Sequence, residues 1–199
     1  MSKHLQNRVL ATGEIISDPA RGLFMGNRGI LHDHNRSLGT ARWRHKAWII
    51  CVLHHKDWHR NVMTPNNYTE LFFLDEAVAM AAGHRPCALC RHDAYTAYRD
   101  SAGITVSAPE MDAELHHERA IARRFEQRRP RMQAESLPDG AIILDRVPKL
   151  ILGDSARPVT ASGYKVAEKR PKGEVSVLTP PTSLAALKGG YRPVLHGSA

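Results

Sequence analysis

The sequence predicts an α+β fold: a small mixed sheet with short helices, one longer helix, and a β-rich C-terminal subdomain. Three observations predict it. Short apolar runs broken by glycine fill the first third of the chain. Helix start and stop residues bracket Asp75–Gly83 and open again at Ser107. After Pro138 the sequence turns to short Ile, Val and Leu runs punctuated by Gly and Pro. These changes of character divide the chain into 1–106, 107–137 and 138–199.

Residues 1–31 carry Gly13, Gly22, Gly26 and Gly29 among apolar runs, the signature of strands joined by turns. Asn27 and Gly29 mark a tight turn before His32-Asp33-His34, a pair of histidines at a strand end. Residues 42–55 (RWRHKAWIICVLHH) read as one strand, and its continuous apolar run from Trp48 to Leu53 suits burial on both faces. Pro65, Asn66 and Asn67 then form a loop. Thr69–Leu74 is a second short strand. Asp75 is a helix N-cap, Glu76 to Ala82 the helix, and Gly83 its terminator. Ala88 to Tyr98 is expected to be helical. Ser107 and Pro109 start the longest helix, running to Arg129 with Met111, Leu115, Ala122 and Phe125 on one face. In 138–199, GAIILDRVPKLILGD reads as two strands around a turn, and GEVSVLTPPTS and GYRPVLHGS as further strands.

The chain has 199 residues, enough to bury a real core. Lys and Arg number 28 against 20 Asp and Glu, a formal charge of +8. That excess favours polyanionic partners through Coulomb attraction and counterion release. Three cysteines make no complete disulfide framework, so their sparse, odd count points to a reducing compartment and a metal or thiol role. No apolar run is long enough to cross a bilayer, and no signal-peptide core precedes residue 20. The expectation is a cytoplasmic protein without a membrane partner.

The chemistry concentrates at Pro86-Cys87-Ala88-Leu89-Cys90. A Cys-x-x-Cys turns two sulfurs toward one ion, and structural zinc takes four thiolate or imidazole ligands in a tetrahedron. Cys51 is the one remaining cysteine and sits in a strand that can end beside the pair. A histidine then completes the set. His55 is chosen, because residues 51 and 55 of an extended strand share a face. His54 is its near rival, with His84 and His32 further out. The expected zinc site is therefore Cys51, His55, Cys87 and Cys90.

The stretch NYTELFFLDEAVAMAAGHRPCALCR resembles the second half of the zinc-binding N-terminal domain of the Ada DNA-repair proteins. The shared features are Phe72 and Phe73 ending a strand, a short helix ending Ala81-Ala82-Gly83, and Arg85-Pro86-Cys87-x-x-Cys90. Cys51 and His55 fall where that family has an earlier Cys-x₃-Cys, with a longer loop before the helix. The resemblance covers about residues 43–92. It implies a zinc fold with a DNA-facing surface. In that family the first cysteine accepts a methyl group from a phosphotriester, which would place Cys51 in that role. An imidazole in place of a fourth thiolate removes a negative charge and blunts the nucleophile. Neither a helix-turn-helix nor a Pro-Cys-His-Arg motif is present. The resemblance thus carries the fold and the surface rather than the reaction.

The functional expectation is a zinc-binding, nucleic-acid-interacting protein, DNA favoured, with a DNA-repair association. Arg42, Arg44, Arg60, Arg85 and Arg91 are expected to contact phosphates. One alternative is a metal-dependent nuclease of the histidine-asparagine-histidine type, using His54 or His55, Asn66 or Asn67, and His92. A second is a zinc-stabilised protein-interaction module without chemistry. A zinc deaminase would need His-x-Glu upstream of the cysteines, where the chain has His55-Lys56-Asp57. His116-His117-Glu118 is a further candidate site, with a Glu118–arginine pair as the rival reading. The cationic run from Arg119 to Arg131 suits either phosphates or a solvated face.

Overall fold

A computed structural model describes residues 4–56 and 61–199. Strands β1 (Gln6–Val9), β2 (Ile15–Ser17), β3 (Phe24–Asn27), β4 (Ile49–Cys51) and β5 (Leu71–Phe73) come first, followed by helix α1 (Glu76–Ala81) and strand β6 (Arg85–Pro86). These strands form one six-stranded sheet in the order β2-β1-β5-β3-β4-β6. It is mixed: β1–β5 and β4–β6 are parallel and the other pairs antiparallel. Gly26 is required where β3 meets β4, because a Cβ there would lie 2.1 Å from the Ile49 carbonyl oxygen.

Helix α1 begins as its sequence dictates. The Asp75 carboxylate accepts the Val78 amide at 2.9 Å, satisfying an otherwise orphaned donor of the first turn. It ends at Gly83, whose φ of +88° favours glycine. All six of its residues are buried.

Helices α2 (His92–Ser101) and α3 (Ala108–Arg119) follow. Glu110 closes a capping box on Ser107, and α3 is the longest helix among the described residues. It stops ten residues short of the expected Arg129. The Arg119 side chain turns inward to the carbonyls of Gly83 and Lys46, and the chain becomes a short hairpin of β7 (Ala120–Ile121) and β8 (Glu126–Gln127). Arg123 and Phe125 at its tip have φ of +65° and +54°. Residues 107–137 are therefore a helix, a hairpin and a strand of the second sheet, not one basic helix.

The second sheet contains β9 (Arg131–Gln133), β10 (Ile142–Asp145), β11 (Val147–Leu152), β12 (Ser155–Thr160), β13 (Gly163–Tyr164), β14 (Glu168–Lys169) and β15 (Glu174–Val177). Its main path is β13-β12-β11-β10-β15-β9, with β14 paired to β12. The β10–β11 hairpin turns at Arg146, as its sequence suggests. Two expectations fail in this half. TPPTS begins helix α4 (Pro181–Lys188), because Pro181 fits the first turn of a helix. GYRPVLHGS is not a strand; it is an irregular tail held by side chains from α1.

The strand expected over 42–55 shrinks to Ile49–Cys51. Ile50 is fully buried while Ile49 and Cys51 are half-buried, so the strand alternates instead of burying both faces. Residues 42–48 are pulled into a loop, with the Arg44 amide donating to the Arg28 carbonyl at 2.7 Å and the Trp48 indole to the His45 carbonyl at 2.9 Å. The architecture is thus α+β, with several sheets and four α-helices among the described residues. Among the described residues no helix is long and apolar enough to cross a membrane.

Candidate metal centre

The parallel pairing of β4 with β6 builds the site. Ile49 lies opposite Arg85 and Ile50 opposite Pro86, so the next residues on each strand, Cys51 and Cys87, come side by side. The Cys87 amide donates to the Ile50 carbonyl at 3.0 Å and fixes that register. The chain then turns. The Leu89 amide donates to the Cys87 sulfur at 3.4 Å and the Arg91 amide to the Cys87 carbonyl at 3.1 Å, folding Cys90 back toward Cys87. The three sulfurs lie within 4.8 Å of one another. Among the described residues this is the one group of three or more such donors. A tetrahedral ion bound at about 2.3 Å would set its sulfurs roughly 3.8 Å apart, so small side-chain adjustments suffice.

The same proximity polarises the thiols. Hydrogen bonds from Cys51 and then Cys90 draw the Cys87 thiol far below its ordinary range. Cys51, donating to Cys87 and Cys90, is pushed well above it. Three thiols sharing a negative charge form a soft donor set that can hold a metal ion.

The expected residues divide sharply. Cys51, Cys87 and Cys90 meet, but His55 is not in the group. Strand β4 ends at Cys51 and the chain bends at Leu53, so the alternation that would align residues 51 and 55 does not extend that far. His54 is exposed. His32 is buried, with Nδ1 2.6 Å from the Thr69 hydroxyl and Nε2 3.3 Å from the Thr64 carbonyl. His84 is buried against Phe73 and Trp48 and accepts from Arg28 Nε at 3.4 Å. Both are tied into packing away from the thiols.

Among the expected phosphate contacts, Arg44 is exposed and Arg42 half-buried. Arg60 lies outside the described residues, as does Asp57. Arg85 and Arg91 require correction. Arg85 is buried and grips Asp112 with two bonds of 2.9 and 2.7 Å. Arg91 pairs with the buried Glu76 at 2.7 Å and packs its guanidinium over Phe24. A phosphate would have to displace a buried carboxylate in either case.

His116, His117 and Glu118 belong to no metal-binding group among the described residues. Glu118 accepts from the Thr182 amide and hydroxyl at 2.9 and 2.8 Å, capping α4, and among the described residues it forms no ion pair with an arginine. His116 packs edge-on against Trp43 and Trp48, and burial first, then Arg119, lowers its pKa to about 4. Of the nuclease candidates, His54, His55 and His92 belong to no group of three or more His, Cys, Asp or Glu that could hold a metal among the described residues.

One cluster escaped the sequence. Arg28 and Arg119 are each 1% exposed, and both guanidiniums lie over the Trp48 ring, at 4.2 and 4.1 Å from its centre. Among the described residues neither forms an ion pair. Burial pushes each down to about 9; at Arg28 the charges of Arg119 and then Arg42 add to the lowering, whereas at Arg119 the Asp112 carboxylate opposes it. The sequence shows these residues only as members of a basic composition, because the pairing spans β3, the β3–β4 loop and the end of α3. In comparisons with protein-family models, curated proteins and solved structures, nothing matches this chain.

Proposed function

We propose that this chain is a zinc-binding protein that interacts with nucleic acid, DNA favoured, in a DNA-repair-associated role. The observation that carries the proposal is the convergence of Cys51, Cys87 and Cys90 from a strand and a turn. Thiolate donors select soft or borderline ions, and a Cys-x-x-Cys turn beside a strand end suits a structural zinc. Within this reading His55, four residues beyond Cys51, supplies the fourth ligand. The site then stabilises the sheet rather than acting on a substrate.

The nucleic-acid half rests on charge and its placement. The net charge is +8. Arg44 and Lys46 are exposed on the β3–β4 loop, and Arg123, Arg124, Arg128 and Arg129 on and just after the β7–β8 hairpin. Trp43 and Phe125 join that loop to that hairpin, with ring centres 4.9 Å apart. The two sets of cations therefore flank one surface, and such a surface suits a phosphate backbone.

The test is the salt dependence of binding to a fluorescent 20-base-pair duplex. Four phosphate contacts predict a loss of roughly 100-fold in affinity between 50 and 200 mM salt. Charge reversal at Arg44 and Arg128 should flatten that slope. No binding at 50 mM salt would overturn the nucleic-acid reading and leave a zinc-stabilised protein-interaction module. Cleavage of the duplex that requires Mg²⁺ would replace it with the nuclease reading.

A further inference from the structure

Between the turn at Thr12–Glu14, the β3–β4 loop and the β7–β8 hairpin lies a cavity of about 660 Å³. Its walls combine three kinds of chemistry. Arg28, Arg42 and Arg129 supply positive charge, Trp43 and Phe125 supply aromatic surface, and Gln127 supplies an amide. Pockets of this size accept drug- to nucleotide-sized molecules when a few polar groups converge in them.

Arg28 and Gln127 carry signs that their partners are external. Arg28 is 1% exposed, and its hydrogen bonds run to the Ala82 carbonyl at 3.1 Å, the Gly13 carbonyl at 3.4 Å and His84. No carboxylate neutralises it among the described residues. A buried cation with no counterion is costly, and an anion entering the cavity would offset that cost. Both amide atoms of Gln127 are shielded from solvent and have no hydrogen-bond partner among the described residues, although buried polar groups are almost always paired. The amide sits against Gly13, where a Cβ would come within 2.4 Å of Oε1. Phe125 faces Trp43 from a residue at φ +54°, a conformation that non-glycine residues adopt at a cost. The cavity's acids are already engaged: Glu126 pairs with Arg124 at 3.4 Å and Glu14 accepts from the Thr12 hydroxyl at 3.0 Å. Arg42 is braced by its Nη1 bonds to the carbonyls of Gly39, Thr40 and Ala41.

We propose that this cavity is a site for one nucleotide unit, with its phosphate among Arg28, Arg42 and Arg129 and its base against Trp43 and Phe125 beside the Gln127 amide. A primary amide sets an N–H donor beside a carbonyl acceptor, the arrangement that matches the N6 and N7 edge of adenine. The base plane suits aromatic side chains through stacking. The same chemistry serves a free nucleotide or a nucleotide in a single strand. The site deepens the nucleic-acid reading and rests on it only for the strand as the source.

The experiment is calorimetric titration of the zinc-loaded full chain with dAMP, deoxyadenosine, inorganic phosphate, a five-residue oligo-dA, and the duplex used above. The variants are Arg42→Ala and Gln127→Ala, each checked for unchanged metal content and melting temperature. The expected result is saturable dAMP binding, weakened at least 10-fold by Arg42→Ala. Gln127→Ala should remove the advantage of dAMP over inorganic phosphate. Oligo-dA competing with dAMP would identify a strand as a source; dAMP binding without oligo-dA or duplex binding would support a free-nucleotide site and sink the nucleic-acid reading. Failure of dAMP to bind at 1 mM, or equal binding by both variants and the parent, would overturn the pocket while leaving duplex binding to stand or fall separately.

Discussion

Tyr164 donates its hydroxyl to Asp75 at 2.7 Å, although the two are 89 residues apart. The same carboxylate caps α1 through the Val78 amide and accepts the His196 amide at 3.0 Å. One buried side chain therefore starts a helix, holds β13 and fixes the C-terminal tail. Asp75→Ala would strand all three donors and should cost roughly 3–5 kcal/mol of unfolding free energy. Tyr164→Phe removes one bond and should cost about 1 kcal/mol. Urea denaturation measures both; a loss under about 1 kcal/mol for Asp75→Ala would show that the tail and β13 are held by other means.

Arg85 and Asp112 form a buried two-bond ion pair between β6 and α3. Asp112→Ala leaves an unpaired guanidinium in the interior and should destabilise by roughly 3–5 kcal/mol. The double change Arg85→Met with Asp112→Leu should recover most of that loss, because apolar groups of similar size replace a pair that gains little net energy. A double variant as unstable as Asp112→Ala would mean that the pair orients the residues leading into Cys87.

Stability should fall in mild acid because of His84. The ring is fully buried, and burial first, then Arg28 and Arg119, holds its pKa well below the usual histidine value. Above about pH 6.5 neither folded nor unfolded chain binds this proton. Below it the unfolded chain does and the folded chain does not, so stability drops toward about 1.4 kcal/mol per pH unit. Between pH 7 and 5.5 the parent should lose about 1 kcal/mol more than His84→Leu. Parallel pH profiles for the two proteins would contradict this assignment.

Cys87 and Cys90 were legible because short-range rules govern them, whereas Cys51 joins them through the β4–β6 pairing. Cys-x-x-Cys spacing, the Asp75 cap and the Gly83 stop are local chemistry, and the structure places each as its sequence suggests. His55 was read from strand geometry that the chain does not sustain past Cys51. Arg85 and Arg91 looked like surface cations because nothing local marks Asp112 and Glu76 as their buried partners. The end of α3 was misplaced for a related reason. Its apolar pattern continues to Phe125, but the inward turn of Arg119 onto Trp48 breaks the helix first. Helix α4 was hidden by its paired prolines, which read as strand punctuation until Glu118 caps it.

The most direct test of the account is metal analysis of the purified chain beside Cys51→Ser, Cys87→Ser and His55→Ala. The account predicts one zinc per chain in the parent, lost in both cysteine variants and bound much more weakly in His55→Ala. Zinc retained by Cys51→Ser would contradict the three-thiol centre built by the β4–β6 register.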